Sequence, residues 1–334
     1  MAVVAGAALH LAVQLPLLRI AGMRWQPFWD LRDAAVRDVG RLMGPRVIGL
    51  GAYHLNFVVA TFFASTVATG AISAINYAWL IVMTPLGLFG MAISTAIFPR
   101  LAEQAASDDV ELQDSISRAL RLILYLTVPA AVGLMLLARP TTSFLLQSGA
   151  FDDASVDLVV GALVFYSVGL AAHSGIEILS RGFYALEDTR TPVQFAVLSM
   201  VINFMLSLLF VIPFGVNGLA AALSIATIVE FALLWRALAD RLHGLDGGRI
   251  VYTMVRVAAG TLLMAQVIAL WLAALVLAGL WDLGSKADAG LALAGGVIIG
   301  GVVYFYATRL LRTEEAEVLV ERVPLPARLR SLVR

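Results

Sequence analysis

The chain has 334 residues, of which 60% are hydrophobic and only 14% charged, with a mean hydropathy of +0.90 and a formal net charge of zero. Soluble domains are roughly half apolar and about a quarter charged, so this composition excludes an ordinary soluble domain and points to an all-α, polytopic membrane helix bundle. It contains no cysteine, which excludes a disulfide framework and a thiolate metal site. A net charge of zero offers no argument for nucleic acid, and none is expected as a partner.

Met1 leads straight into AVVAGAALHLAVQLPLL without a basic stretch. This reads as part of a span and not as a secretory signal, and the chain is expected to begin inside a longer protein. An apolar run of about 20 residues crosses the hydrocarbon core as a helix. Nine such runs are expected, at 1–19, 45–67, 72–98, 118–138, 156–182, 192–213, 217–238, 251–280 and 289–309. They are continuous and lack the period-2 alternation of barrel strands. The connections Pro27–Arg41 and Arg100–Arg121 mix acids and arginines with Trp29, Leu31, Leu101, Leu112 and Ile116. They read either as interfacial amphipathic helices or as solvated linkers. A basic tail, 313–334, closes the chain.

Lys and Arg accumulate on the cytoplasmic side of a membrane protein. With the spans above, only Arg139 and Lys286, among 23 basic residues, fall on the other side. The expected orientation puts the C-terminus in the cytoplasm. Helix breakers recur inside the runs: Pro85 with Gly87 and Gly90, Pro129, Gly169 and Gly175, Gly215 and Gly218. They suit helices bent around a transporter cavity, and equally close packing of helix backbones.

Ionisable groups inside a span are functional candidates by default. His173 and Glu177, four residues apart on one run, share a helix face. They read as a proton- or cation-responsive pair or as a contact to a polar substrate. The alternative is an interfacial pair that snorkels or a local ion pair between Glu177 and Arg181. Glu230 is the second acid within an apolar run. Asn203 with Ser207, Ser224 with Thr227, and His54, Asn56 and Thr61 are polar sets on other runs. Asn203, Ser207 and Ser224 could hold Na⁺, or serve as interhelical hydrogen-bonding groups. No cofactor is expected beyond H⁺ or Na⁺ coupling. No GxSxG, P-loop or kinase signature occurs, and the histidines lack metal-ligand spacing, so an enzyme is not expected.

Particular segments carry a resemblance. Ile75-Asn-Tyr-Ala, Pro85-Leu-Gly-Leu-Phe-Gly-Met-Ala-Ile, Phe98-Pro-Arg-Leu, Pro129-Ala-Ala-Val-Gly and Arg181-Gly-Phe-Tyr-Ala-Leu-Glu-Asp-Thr-Arg-Thr-Pro-Val resemble the MurJ/MviN lipid II flippases. So does Gly215 to Leu223, and together the segments cover most of Leu11 to Arg241. The resemblance implies the multidrug/oligosaccharidyl-lipid/polysaccharide exporter fold, with two six-helix lobes around a central cavity and two further helices forming a hydrophobic groove. On that pattern 1–44 is the last first-lobe helix with its cytoplasmic linker, 45–243 the second lobe, 244–312 the groove pair and 313–334 the tail. Five helices of the usual flippase are then absent from this chain.

The resemblance also implies differences. Trp79, Leu80 and Met83 stand where family members commonly carry an Arg with an acid or Gln nearby. Glu177 stands where many carry Lys. Asn203 matches a family sodium ligand, but Ser207 stands in place of the acid that follows it, and Asn56 is nearest to another such acid. The implied function is flipping of a lipid-linked peptidoglycan precursor across the bacterial cytoplasmic membrane by alternating access, for cell-wall biogenesis. Its partners would be membrane lipids, the lipid-linked substrate, and either a missing first lobe or a second copy of the chain. Two other readings stay open: an exporter of a neutral or cationic solute coupled through His173, Glu177 and Glu230, and a non-transporting cell-wall scaffold.

Overall fold

The computed structural model describes residues 2–20, 36, 37, 47, 51, 55, 57–107, 109–149, 151–280 and 285–317. It divides into two compact units, Met1–Gly44 and Pro45–Arg334. The first contains helix α1, Ala2–Ile20, whose Val4, Leu9 and Val13 are exposed. The connection expected at Pro27–Arg41 lies outside the described residues apart from two positions.

The second unit is a helix bundle. It comprises α2 (Phe57–Val67), α3 (Ala71–Ala105), α4 (Asp109–Leu136) and the short α5 (Ala138–Leu146). These lead into α6 (Asp153–Ala185), α7 (Arg190–Arg241), α8 (Gly247–Leu277) and α9 (Lys286–Leu310). A final turn occupies 314–317. Among the described residues six helices are long and apolar enough to cross a membrane: α3, α4, α6, α7, α8 and α9. The nine expected runs map onto them unevenly. Two of the runs share α7, and the apolar stretches described in α1 and α2, Val4–Gln14 and Phe57–Val67, are shorter than a span. The segment Arg100–Arg121 forms no separate interfacial helix, because α3 continues to Ala105 and α4 begins at Asp109.

Helix α7 has 52 residues. Drawn straight it would measure about 78 Å, more than twice the hydrocarbon core. It reverses instead at Gly215, where φ is 55° and ψ is −130°, a conformation open essentially to glycine alone. The two arms then run so close that a methyl group on Gly218 would lie 2.3 Å from the Phe210 carbonyl oxygen.

Helix α6 is the hub, packing against α3, α4, α5 and α7. Its start is capped by Asp152, which accepts from the Ser155 N–H at 2.9 Å and the Ser155 hydroxyl at 2.7 Å. These bonds, the backbone one first, hold the Asp152 carboxyl below the usual carboxylate range. At the other end Glu187 adopts φ 58°, and the Asp188 N–H reaches back to the Phe183 carbonyl at 2.9 Å. That is a Schellman ending with a non-glycine residue in the left-handed position. Asp188 then accepts from the backbone N–H groups of Arg190 and Thr191, each at 3.0 Å, and so starts α7.

Small residues set the spacing between α6 and the second arm of α7. Methyl groups on Gly161, Gly169, Gly175 and Gly182 would meet Asn217, Ser224, Phe231 and Leu238 respectively, all within 3.0 Å. The facing residues recur every seven positions, the repeat of closely packed, slightly supercoiled helices. Close packing, and not bending, is therefore the role of Gly169 and Gly175. Pro85, Gly87 and Gly90 do alter a helix, for a π-helical turn runs from Leu86 to Met91 within α3.

Two apolar cores lie along α6. One gathers Phe63, Ile75, Leu163, Tyr166, Leu170 and Leu219. The other, toward the arginine-rich end, gathers Leu101, Ile116, Leu120, Ile178, Phe183 and Leu234. A third cluster joins α4 to α8 and α9 through Tyr125, Val257, Met264 and Tyr304. Beside it the Tyr125 and Thr308 hydroxyls are 2.9 Å apart, and the Tyr304 hydroxyl donates to the Tyr125 carbonyl at 2.7 Å. Arg121 of α4 pairs with Glu314 and Glu315 of the last turn, each at 3.2 Å, and Arg121 and Glu315 are both buried.

Candidate functional site

Between the first two cores α6 turns polar. His173, Ser174 and Glu177 fall in the gap between Leu170 and Ile178, and α7 brings Thr227 and Glu230 to the same stretch. His173 Nε2 lies 3.1 Å from the Thr227 hydroxyl. On its other side the Trp79 indole of α3 meets the imidazole edge-on, with ring centroids 5.2 Å apart, and Trp79 also packs edge-on against Tyr166 at 5.5 Å. Three helices thus converge on one histidine.

Glu177 stands one turn further along α6 and is half-buried. It feels the charge of Arg181, but the two form none of the ion pairs among the described residues. The Arg181 guanidinium sits instead over the Phe98 ring of α3, 5.7 Å from its centroid, a cation–π contact. Glu230 accepts a hydrogen bond from Ser199, on the opposite arm of α7. Spacing along α7 gives no sign of this partner, which lies 31 positions away on the other arm.

The polar set proposed for a cation is divided. Asn203 and Ser207 are buried together on the first arm of α7, with the Ser207 hydroxyl donating to Asn203 Oδ1 at 3.4 Å. Ser224, on the second arm, donates to the Phe165 carbonyl at 2.7 Å and so joins α7 to α6. Asn56 lies outside the described residues, as does His54. Among the described residues no group of three His, Cys, Asp or Glu side chains could hold a metal ion.

A concavity of about 460 Å³ opens between α3, α4, α5 and α9. Tyr77, Leu80, Thr84, Leu134, Leu145 and Leu293 line it, so its wall is mainly apolar.

A bundle whose long helices are membrane-length, with a polar seam enclosed between apolar layers, is that of a multi-pass membrane protein. A sequence profile of the lipid II flippase MurJ family matches residues 1–287. The chain belongs to that family. It is 35% identical over 236 residues to the probable lipid II flippase MurJ of Vibrio cholerae, covering 70% of this chain and 45% of that protein. Over 241 residues it is 36% identical to the corresponding protein of Haemophilus influenzae, covering 70% and 47%. It thus spans about half the length of these curated relatives. A solved structure of lipid II flippase MurJ, in an inward closed conformation, has the same fold, with a TM-score of 0.69 and 23% identity over 85% of this chain and 56% of that one.

Proposed function

We propose that the chain moves a lipid-linked peptidoglycan precursor across the bacterial cytoplasmic membrane by alternating access, together with whatever supplies the facing half of the cavity. The observation that carries the reading is the family match over residues 1–287 on a bundle whose central helix turns polar at mid-length. The relatives are named lipid II flippases. The mainly apolar concavity beside Leu293 of α9 suits the lipid tail, while the headgroup would meet the seam at His173, Glu177 and Glu230. A carrier needs a cavity that opens to each side in turn, and the second wall would come from a first lobe or a second copy of the chain. The one-sided distribution of arginine favours a cytoplasmic C-terminus. Na⁺ at Asn203 and Ser207, or H⁺ at the seam, would couple the cycle.

A second reading, export of a cationic or neutral solute, draws on one observation. The seam offers two acids, Glu177 and Glu230, and neither is ion-paired among the described residues. Native mass spectrometry of the purified full chain with lipid II and with a neutral phospholipid separates the two. Selective retention of lipid II is the expected result. Equal retention of both lipids by a folded sample overturns the flippase reading.

A further inference from the structure

We propose that His173 is a proton-binding site whose occupancy is linked to the contact between α3 and α6. The role of the site in transport rests on the reading above; its existence does not.

The hydrogen bonds favour one tautomer. The Thr227 hydroxyl lies 2.9 Å from the Leu223 carbonyl oxygen and 3.1 Å from His173 Nε2. A hydroxyl has one proton to give, and a carbonyl oxygen can only accept. With Thr227 donating to Leu223, the Nε2–H of His173 donates to Thr227. In the neutral ring the lone pair is then on Nδ1. A proton from water adds there, giving an imidazolium without breaking the bond to Thr227.

The enclosure decides when that happens. From α3, His173 meets Trp79, an uncharged ring. From α7 it meets Thr227, with Glu230 one turn beyond and bonded to Ser199. On α6 itself Tyr166 lies toward one end, and Glu177 and then Arg181 toward the other. Helix α4 packs along α6 mainly through apolar side chains, with Ile116 at Gly182. Of its charged groups, Asp114 pairs with Arg118, Arg121 with Glu314 and Glu315, and Glu111 accepts from Gln104, while Asp109 stands at its far start. His173 itself is in none of the ion pairs among the described residues.

A cation in this enclosure has no paired countercharge, which is costly in an apolar medium. It is accommodated once Trp79 withdraws and water or the Glu177 carboxylate reaches Nδ1. The helix that must move carries the π-helical turn Leu86–Met91. Within that turn Gly90 packs directly on α6, a methyl there lying 3.2 Å from Ser174 Cα. Protonation of His173 and displacement of α3 thus favour one another, as linkage requires of any two events that share a contact.

Trp79 is the built-in reporter, because an imidazolium quenches an adjacent indole. The test uses the full chain in nanodiscs with the other tryptophans changed to Phe, titrated from pH 8 to pH 3, because a cation that is costly to bury forms below the range of a free imidazole. Trp79 emission is expected to change in a single titration that is lost in the His173→Gln variant, whose side-chain amide can still donate to Thr227. A flat profile in the parent, or an unchanged titration in His173→Gln, overturns the proposal. Lipid II retention is measured on the same samples. Its absence beside an intact His173-dependent titration counts against the flippase reading and leaves the proton site standing.

Discussion

Asp188 Oδ2 and Arg241 Nη1 lie 2.7 Å apart although 53 residues separate them. Asp188 is placed just before α7 and Arg241 is its last residue, so this ion pair clasps the two ends of a helix that has turned back at Gly215. The same carboxylate accepts the Thr191 hydroxyl at 2.7 Å as well as the backbone N–H groups of Arg190 and Thr191. One residue ends the α6–α7 connection, begins α7 and closes its hairpin. Arg241 is half-exposed, so Arg241→Ala is expected to cost less than about 1 kcal/mol. Asp188→Ala removes the cap as well and is expected to cost roughly 2 kcal/mol. Thermal unfolding of the two variants in detergent checks the order.

The same carboxylate makes an acid-limb prediction. Burial alone would raise it, but the bonds from Thr191 and Arg190 and the charge of Arg241 outweigh burial and hold it below the usual carboxylate range. A depressed acid contributes stability above its unfolded value and loses it as pH falls through the folded one. The stability difference between the parent and Asp188→Asn should therefore shrink on acidification below about pH 4. A pH series of melting temperatures measures it, and a difference that stays constant to pH 2 contradicts the assignment.

Glu187 sits at φ 58°, where a side chain costs roughly 1 kcal/mol relative to glycine. Glu187→Gly is expected to raise stability by about that amount, offset by the greater freedom of glycine in the unfolded chain. Denaturation in detergent compares it with Glu187→Ala, which retains the strain and should not be more stable than the parent.

The glycine seam predicts a rescue. A methyl on Gly175 would stand 2.3 Å from Phe231 Cε2, so Gly175→Ala is expected to cost about 1–3 kcal/mol by overpacking. Adding Phe231→Leu, which removes the clashing ring edge, should recover part of the loss. Additive losses in this double-mutant cycle would show that the two residues do not share the contact.

Arg121 and Glu315 are buried together, and burial still pushes the Glu315 carboxyl up, against the pull of Arg121. Removing the cation leaves that carboxylate uncompensated, so Arg121→Met is expected to cost roughly 3 kcal/mol. Glu315→Gln should be much milder. Because a raised acid loses stability as pH rises from its unfolded toward its folded value, the Glu315→Gln variant should gain on the parent as pH rises above the ordinary glutamate range and then hold level.

Much of the scaffold is legible in the sequence because membrane burial is a property of long runs, and the runs became α3, α4, α6, α8, α9 and the two arms of α7. The short α5 is not legible. Ala138–Leu146 reads ARPTTSFLL, polar at one end and too short to announce a helix by hydropathy. The candidate site divides in the same way. His173, Glu177 and Glu230 stand out as ionisable groups within apolar runs. Their partners, Trp79, Thr227 and Ser199, depend on the register between helices, and local spacing carries no such information. Spacing even misleads at Arg181, which lies one turn from Glu177 yet rests on Phe98. Ser224, read as an oxygen ligand, is committed to the Phe165 carbonyl, a bond visible only once Gly169 has brought the two backbones together.

The Arg121–Glu315 pair and the Tyr125–Thr308 bond have a mechanical consequence. They fasten α9 and the turn after it to α4 with buried polar contacts, which are costly to break one partner at a time. If α4 tilts, α9 and the turn after it travel with it. The apolar concavity beside Leu293 takes one wall from α4 and α9 and the other from α3 and α5, so its width follows the angle between those two pairs like the gape of a jaw whose lower half is fastened in one piece.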